Sequence, residues 1–414
     1  MDSRRKYKIA VIGGGSAGIS AAKECINQGI KAVLIERGMI GGVCLNSGCI
    51  PTKFYLRNAA ERKETGILFQ EKESLTAKLR NSASAYLKAG GVDIINSEAS
   101  FKDKHTIITD SGEIDSEFII IASGSSPAKL GFLDSRKCFT PEEFLNSSEF
   151  YDSYLIVGGG AVGVEYSFLL SSLGRKVVLA EKGDRIIPSF DREISLRLMK
   201  ILQKRGIDVL LNCDVSKYDY SGLDKIIVSI GRLPNLSGFN IENAGLLLDK
   251  HPLKVNDYLQ TEVPNIYISG DALGNYLYAY TAEYEGKLCV RNIGGMKEKV
   301  DYKGIPHSIF TVPSAAFCGI TQEKADKEGI EYKIDKYSIR SSSGGLVYSD
   351  NEGFIKLLTD KEGYILGAHI ISNIAHEIIG YFAFCIRNHI KYEAIKNSLF
   401  IHPTISEHIS KIQD

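Results

Sequence analysis

Two cysteines five positions apart, Cys44 and Cys49, lie in the run Gly41-Gly42-Val43-Cys44-Leu45-Asn46-Ser47-Gly48-Cys49-Ile50-Pro51-Thr52-Lys53. A pair this close can cycle between dithiol and disulfide, supply half of a metal site, or be coincidence. A metal would need two further ligands at matching spacing, and none of the eight histidines lies nearby. Gly41-Gly42 breaks the preceding segment and Lys53 to Ala60 can be helical, so the pair straddles a helix start. The positive end of a helix favours a thiolate there. Cys25, Cys138, Cys213, Cys289, Cys318 and Cys385 are scattered singly, without a disulfide-framework spacing, and read as packing residues. That usage suits a reducing cytoplasm, in which the close pair is redox-active and not structural.

The elements upstream decide between these chemistries. Residues 8–37 read as a short apolar strand, a glycine turn, an amphipathic helix and a second strand ending at Glu36; residues 154–182 repeat the scheme and end at Glu181. The turn glycines are Gly13, Gly15 and Gly18 in the first copy and Gly158, Gly160 and Gly163 in the second. The first glycine of each set permits the tight turn, the second lets backbone approach a pyrophosphate, and the third lets helix and strand pack closely. The phosphates then meet the positive end of the helix. Glu36 and Glu181 each follow the first glycine of their copy by 23 residues, where a carboxylate can accept from ribose hydroxyls. One such motif is weak; two copies in the same context make a merely structural glycine turn improbable.

Two cradles imply two nucleotides. The first has the cysteine run directly after its second strand and is assigned FAD; the second lacks a reactive pair and is assigned NAD. Glu181 would repel a 2′-phosphate, which favours NAD over NADP, although Arg185 lies close by in sequence.

The chain of 414 residues is long enough for two or three cores. Its 50 basic and 50 acidic residues balance, so nothing points to nucleic acid or a membrane surface. No apolar stretch is long enough to span a bilayer. The basic Met1–Tyr7 leads into Ile9-Ala10-Val11-Ile12, but Gly13-Gly14-Gly15 ends the apolar run early, so a first strand is expected there and not a signal peptide.

From Gly41 to Lys53 the sequence resembles the redox-disulfide signature of the pyridine nucleotide–disulfide oxidoreductases, closest to their dihydrolipoamide dehydrogenase branch. The resemblance runs along almost the whole chain. Thr261 to Asp271 resembles the family's second FAD motif, whose aspartate holds the ribityl chain. Ile119 to Ser125, with Gly124, and Val228 to Asn235, with Gly231, resemble the strands that close each nucleotide domain. Pro306 to Pro313 resembles the opening of the dimerisation domain, and Ile401 to Glu407 the catalytic histidine loop.

This resemblance implies an α/β fold: two FAD/NAD(P)-binding three-layer domains and a C-terminal α+β dimerisation domain. The implied division is 1–146 (FAD domain, first part, with the disulfide), 147–233 (a shortened NAD domain), 234–303 (FAD domain, second part) and 304–414 (dimerisation domain). Cys44 is implied as the interchange thiol and Cys49 as the flavin-proximal, charge-transfer thiol. Electrons would pass from dihydrolipoamide to the disulfide, to FAD, and as hydride to NAD. His402 is implied as the base that takes a proton from the incoming dithiol, acting on the disulfide of the partner subunit in a homodimer. Glu407 could hold one ring nitrogen and fix the tautomer. Lys53 and Glu165 are implied as an ion pair beside the flavin. The physiological partner would be the lipoyl domain of an acyltransferase or of a glycine cleavage carrier protein. His251, His307, His369, His376 and His389 have no such context, and solvated or core roles are expected of them.

The pattern departs from the family in three places. Only Leu210 to Lys225 stand where relatives carry a three-strand excursion, so nicotinamide affinity is the weak point of the reading. The helical region Arg57 to Gly91 looks abbreviated. Tyr280 and Thr281 stand where relatives often have histidine and lysine. Glutathione reductase is disfavoured by Glu181, and mercuric reductase by the absence of a cysteine pair at the C-terminal end. Another NADH-dependent disulfide reductase, or a weakly active flavin-bound scaffold, are the alternatives.

Overall fold

The computed structural model describes residues 5–59, 64–247 and 253–412; His251 lies outside the described residues. The first sheet is built around the strand Arg5–Ile12. Ala32–Glu36 pairs with it in parallel on one side, with Asp93–Asn96 parallel beyond that, and Gly112–Ile121 pairs with it on the other. Ile266–Ile268 adds a further parallel strand on Gly112–Ile121, although some 145 residues of chain intervene. Ile9, Ala10, Val11, Val33 and Leu34 are all fully buried. That is why these strands read as continuous apolar runs: helices cover both faces of a parallel sheet. Helix α1 (Ser16–Asn27) leaves the first strand through the glycine turn.

The chain then forms α2 (Gly42–Ser47), α3 (Cys49–Asn58) and α4 (Thr65–Ala89). The region expected to be short therefore still carries a helix of 25 residues.

The second sheet repeats the first in a smaller form. Its five strands are all parallel, in the order Asp208–Leu210, Lys176–Ala180, Ser153–Val157, Lys225–Val228 and Cys138–Phe139. The edge strand Cys138–Phe139 and the following α5 (Pro141–Asn146) belong to this unit: Phe144 and Leu145 are buried in its core with Tyr154 and Tyr166. This unit therefore begins ahead of residue 147, the start that the sequence suggested. Helix α6 (Ala161–Ser172) follows the second glycine turn, and α7 (Arg192–Lys204) lies beyond Lys176–Ala180. Among the described residues no strand lies between Leu210 and Lys225; a single 3-10 turn, Val215–Lys217, crosses the gap. Val215 and Leu223 turn inward and close the apolar layer under Leu155, Val178 and Ile226, so the shortened segment still seals the sheet.

A two-stranded antiparallel ribbon, Ser125–Pro127 with Arg232–Pro234, marks where the chain crosses between the two nucleotide units. Helix α8 (Ala279–Ile293) then packs on α1. Gly286 sits at that contact, where an added Cβ would come within 2.2 Å of the Ala17 carbonyl oxygen.

The C-terminal unit is a five-stranded antiparallel sheet in the order His307–Ile309, Ser314–Gly319, Ile365–Ser372, Phe354–Thr359 and Lys333–Ser338. It carries α9 (Gln322–Glu328), α10 (Ser343–Val347), α11 (Ala375–Arg387) and α12 (Tyr392–Lys396). Asp191, the N-cap of α7, pairs with Lys356 at 2.9 Å, and both side chains are buried. Lys356 also donates to Gln322 at 2.7 Å, so the charge buried between the two units is hydrogen-bonded on both sides.

Candidate active site

The two glycine turns are built alike. Gly13 has φ +109°, and a Cβ there would lie 2.2 Å from the Ala122 carbonyl oxygen; Gly158 has φ +104°, and a Cβ would lie 2.5 Å from the Ser229 carbonyl oxygen. Gly18 and Gly163 press on Gly13 and Gly158 in turn, with Cβ distances of 1.8 and 1.9 Å to their carbonyl oxygens. No L side chain fits at these four positions without moving backbone. Gly15 and Gly160 instead cap α1 and α6 and face open space: a Cβ at Gly160 would meet nothing within 4 Å, and one at Gly15 nothing nearer than 3.9 Å. That leaves backbone bare at two helix N-termini, as a pyrophosphate requires.

Both glutamates are drawn into the turns. Glu36 accepts from the backbone of Gly14 (2.5 Å) and Gly38 (2.7 Å); Glu181 accepts from Gly159 (2.5 Å) and Gly183 (2.6 Å). One oxygen of each carboxylate thus stiffens the turn and the other the following loop. Beside the first turn lies a cavity of about 230 Å³ lined by Gly13, Glu36, Arg37, Ser123 and Asn235. Bare backbone, a helix start and a polar cavity next to a carboxylate fit the adenosine diphosphate half of FAD. Gly124 (φ +73°) and Gly231 (φ +113°) also border open space, at the two ends of the ribbon. In the second unit Arg185 does not turn toward the nucleotide cradle. It pairs with Glu323 of α9 at 2.6 Å and donates to the Pro188 carbonyl.

Cys44 is the third residue of α2 and Cys49 the first of α3. Asn46 clamps the short α2 by donating to the carbonyls of Ile40 (3.1 Å) and Gly42 (2.9 Å), while Arg80 of α4 donates to its Oδ1 at 2.8 Å. Both cysteines are free thiols, Cys49 the more exposed. The two are electronically unequal. A hydrogen bond from Cys44 holds the Cys49 thiol below the usual range; burial opposes this, and the charge of Lys53 adds to the lowering. The same shared proton, with burial, pushes Cys44 up. Between the two thiols, these influences favour the thiolate at Cys49 over Cys44.

Lys53, one turn further along α3, pairs with Glu165 of α6 at 2.8 Å. Glu165 is buried and also accepts from the backbone of Phe310 at 3.0 Å, and Lys53 lies 4.4 Å from the Phe310 ring centroid. The ion pair expected from the sequence thus exists, and it joins all three units beside the cysteines.

His402 stands on the C-terminal loop with its side chain 68% exposed, and Nδ1 lies 3.1 Å from both oxygens of the buried Glu407. Burial alone would raise the Glu407 carboxyl. Hydrogen bonds from His402, Lys411 and the Thr404 backbone outweigh it and hold the group down at about 2. Nδ1 is thereby committed to the carboxylate and Nε2 is left for chemistry. Among the described residues no hydrogen bond or ion pair links His402 to the cysteines of its own chain.

Residues 7–286 match the pyridine nucleotide-disulphide oxidoreductase family, and residues 305–412 match its dimerisation domain. The chain belongs to this family. Its fold is the one the sequence implied, and the cofactors of the family are FAD and NAD(P). The dihydrolipoyl dehydrogenase of Bacillus subtilis (strain 168) is 30% identical, covering 96% of each chain; that of Mycoplasma pneumoniae is 31% identical, covering 98% of this chain and 97% of its own. Among solved structures, the Cu(II) complex of the HOCl-induced flavoprotein disulfide reductase RclA from Escherichia coli has a TM-score of 0.92 at 27% identity and covers 99% of both chains.

The remaining histidines and Tyr280 have packing partners that the sequence did not supply. Tyr280 stacks on Tyr278 (ring centroids 5.3 Å apart, planes 7° apart), and the Tyr278 hydroxyl lies 2.7 Å from Nδ1 of His307. His307 in turn stacks on Phe317 at 4.2 Å, and burial pushes it down to about 4. His369 is fully buried and likewise pushed down to about 4 by burial, and His376 contacts Ser314. His389 stacks on Tyr364. The substitution of Tyr280 for a histidine was the one signal that pointed to the stack. Among the described residues no group of three or more metal-ligating side chains is gathered together, and no helix is long and apolar enough to cross a membrane.

Proposed function

We propose that this family member is an NAD-dependent dihydrolipoamide dehydrogenase, working as a homodimer in the cytoplasm on lipoyl groups carried by an acyltransferase or a glycine cleavage carrier protein. The observation that carries the reading is the unequal cysteine pair, with Lys53–Glu165 beside it, set between two nucleotide cradles.

In this reading Cys44 and Cys49 start as a disulfide. His402 of the partner subunit takes the proton from one thiol of the substrate through Nε2, while Glu407 balances the charge that forms on the ring. The substrate thiolate attacks Sγ of Cys44, the Cys44–Cys49 bond breaks, and Cys49 leaves as the thiolate that Lys53 stabilises. The second substrate thiol then attacks the substrate sulfur bound to Cys44. Cys44 is released with a proton, and the substrate departs as a cyclic disulfide. The dithiol has lost two electrons and two protons, and the protein pair has gained the two electrons. The chemistry supplied by FAD when bound is two-electron exchange between this pair and the nicotinamide. Lys53 places positive charge where the reduced ring would gather negative charge. Glu36, Gly13, Gly15, Gly18, Gly124 and Asp271 would hold FAD; Glu181, Gly158, Gly160, Gly163 and Gly231 would hold NAD.

The engagement of Arg185 by Glu323 supports NAD over NADP, since it keeps that cation from a 2′-phosphate. A second reading, NADH-driven reduction of some other disulfide or electrophile, is favoured by the Tyr280/Thr281 replacement and the end-to-end likeness to a disulfide reductase. Measuring NAD reduction by dihydrolipoamide, against NADP and against NADH-driven reduction of glutathione disulfide, separates the two. A flavin-loaded dimer with no lipoamide turnover would refute the first.

A further inference from the structure

Arg232 opens the ribbon strand Arg232–Pro234 and is held by polar groups on both sides of its guanidinium. Its Nε donates to Ser125 Oγ at 2.7 Å and its Nη2 to the Ser125 carbonyl at 2.7 Å, while Nη1 pairs with Glu142 of α5. Nε also lies 3.9 Å from Oδ2 of Asp271. The Ser125 hydroxyl donates to that same Asp271 oxygen at 2.5 Å. Arg232, Glu142 and Asp271 are all largely buried, and Ser125 is buried.

The direction of this chain is forced. A guanidinium has donors and no acceptor, so the Ser125 hydroxyl must accept from Nε. It has one proton of its own, and the only place left for it is Asp271 Oδ2. Asp271 is thereby held as an acceptor on Oδ2, and among the described residues its Oδ1 takes no hydrogen bond. The backbone beneath is pinned as well: the Gly270 N–H donates to buried Glu285 at 2.7 Å, and Glu285 accepts from the Tyr302 hydroxyl at 2.6 Å.

We propose that Arg232 is a positioning residue for the flavin, acting through Ser125 to orient Asp271 so that its free oxygen accepts a hydroxyl of the cofactor's polyol chain. This rests on FAD occupying the first site with Asp271 at its ribityl chain. Arg232 touches no cofactor atom in this scheme. Glu142, on the second unit, anchors the far side of the guanidinium, so the grip on the flavin is braced from the nicotinamide unit. Glu142 has one buried oxygen without a hydrogen-bond partner, which makes Arg232 its compensating charge.

The test is the dissociation constant of FAD from apoprotein, read by quenching of flavin fluorescence. The proteins are wild type, Ser125→Ala, Arg232→Met, Asp271→Ala and the Arg232→Met/Asp271→Ala double variant. Ser125→Ala and Arg232→Met should each weaken FAD about tenfold or more, the range for losing a hydrogen bond to a charged group. Arg232→Met should add less than about twofold once Asp271 is alanine, because its effect runs through that carboxylate. A general loss of structure would weaken FAD equally in both backgrounds, and that result would overturn the proposal. Unchanged affinity in Ser125→Ala would overturn it too, and this variant removes only a hydroxyl, so it decides the matter if Arg232→Met does not fold. Wild-type apoprotein that takes up no FAD would instead refute the cofactor assignment itself, and the proposal with it.

Discussion

The Glu407→Gln substitution keeps the size of the side chain and an acceptor for His402 Nδ1, and removes only the charge. The wild-type carboxyl sits at about 2 against an ordinary value of 4.5. At about 1.4 kcal/mol per tenfold that difference corresponds to ~3 kcal/mol. Its partners are open to solvent, with side-chain exposures of 68% for His402 and 41% for Lys411, so screening brings the figure to about 1.5 kcal/mol. The sign follows from a depressed acid: the stabilisation is complete above pH 4.5 and is lost as pH falls toward 2. Wild type should therefore exceed Glu407→Gln by about 1.5 kcal/mol at pH 7 in urea unfolding at fixed protein concentration, and the gap should narrow by roughly half by pH 3. Turnover of a dithiol should fall about 10- to 100-fold with KM little changed, since the lost charge balances the imidazolium formed in the reaction. A stability gap that stays constant from pH 7 to pH 3 would show that Glu407 acts through packing, and would refute the reasoning.

Cys44→Ser and His402→Gln should each abolish dithiol turnover while retaining flavin, checked by absorbance of the purified protein; loss of flavin in either would count against the assigned roles. Glu285 is a buried carboxyl pushed up to about 7 by burial, with the Tyr302 and Gly270 hydrogen bonds opposing. A raised acid loses stabilisation as pH climbs through that value, so Glu285→Gln should lose less stability than wild type between pH 5.5 and pH 8.5 in thermal melts. Parallel pH profiles would sink that assignment. Glu181→Ala should raise the ratio of kcat/KM for NADPH to that for NADH by about tenfold, as repulsion of a 2′-phosphate disappears, at some cost in NADH affinity because the Gly159 and Gly183 amides lose their acceptor. An unchanged ratio would place nucleotide selection elsewhere.

The turns were legible because their constraints are local. Gly13 and Gly18, like Gly158 and Gly163, are needed for contacts made within one strand–turn–helix unit, and such a requirement is visible in a short window. Lys53–Glu165 and His402–Glu407 were legible through the family motifs that contain them, and the geometry brings each pair together. What stayed hidden depended on long-range pairing. Cys138–Phe139 is a two-residue edge strand whose only identity is its partner, Ile226–Ile227, so the start of the second unit was misplaced. Arg185 beside Glu181 looked like a rival for a phosphate until Glu323, 138 residues away, was seen to hold it. Arg232 is in the same position relative to Ser125, 107 residues earlier.

The inequality of Cys44 and Cys49 also has a structural cause that spacing alone did not supply. Cys49 opens α3, at the positive end of the helix, and Lys53 lies one turn on along the same helix. Cys44 lies inside a six-residue helix without comparable help, and the negative charge of Glu283 on α8 pushes its thiol further up, as a lesser influence. The lysine could not serve Cys49 if it were free to turn into solvent. Glu165 prevents that, and is itself fixed by the Phe310 amide of a third unit. A charge pair at a three-way junction is costly to break and is screened less than a surface pair. Removing either partner should therefore disturb Cys49 before it disturbs the fold of any one unit, and the thiolate is as much a product of how the three units meet as of the motif that contains it.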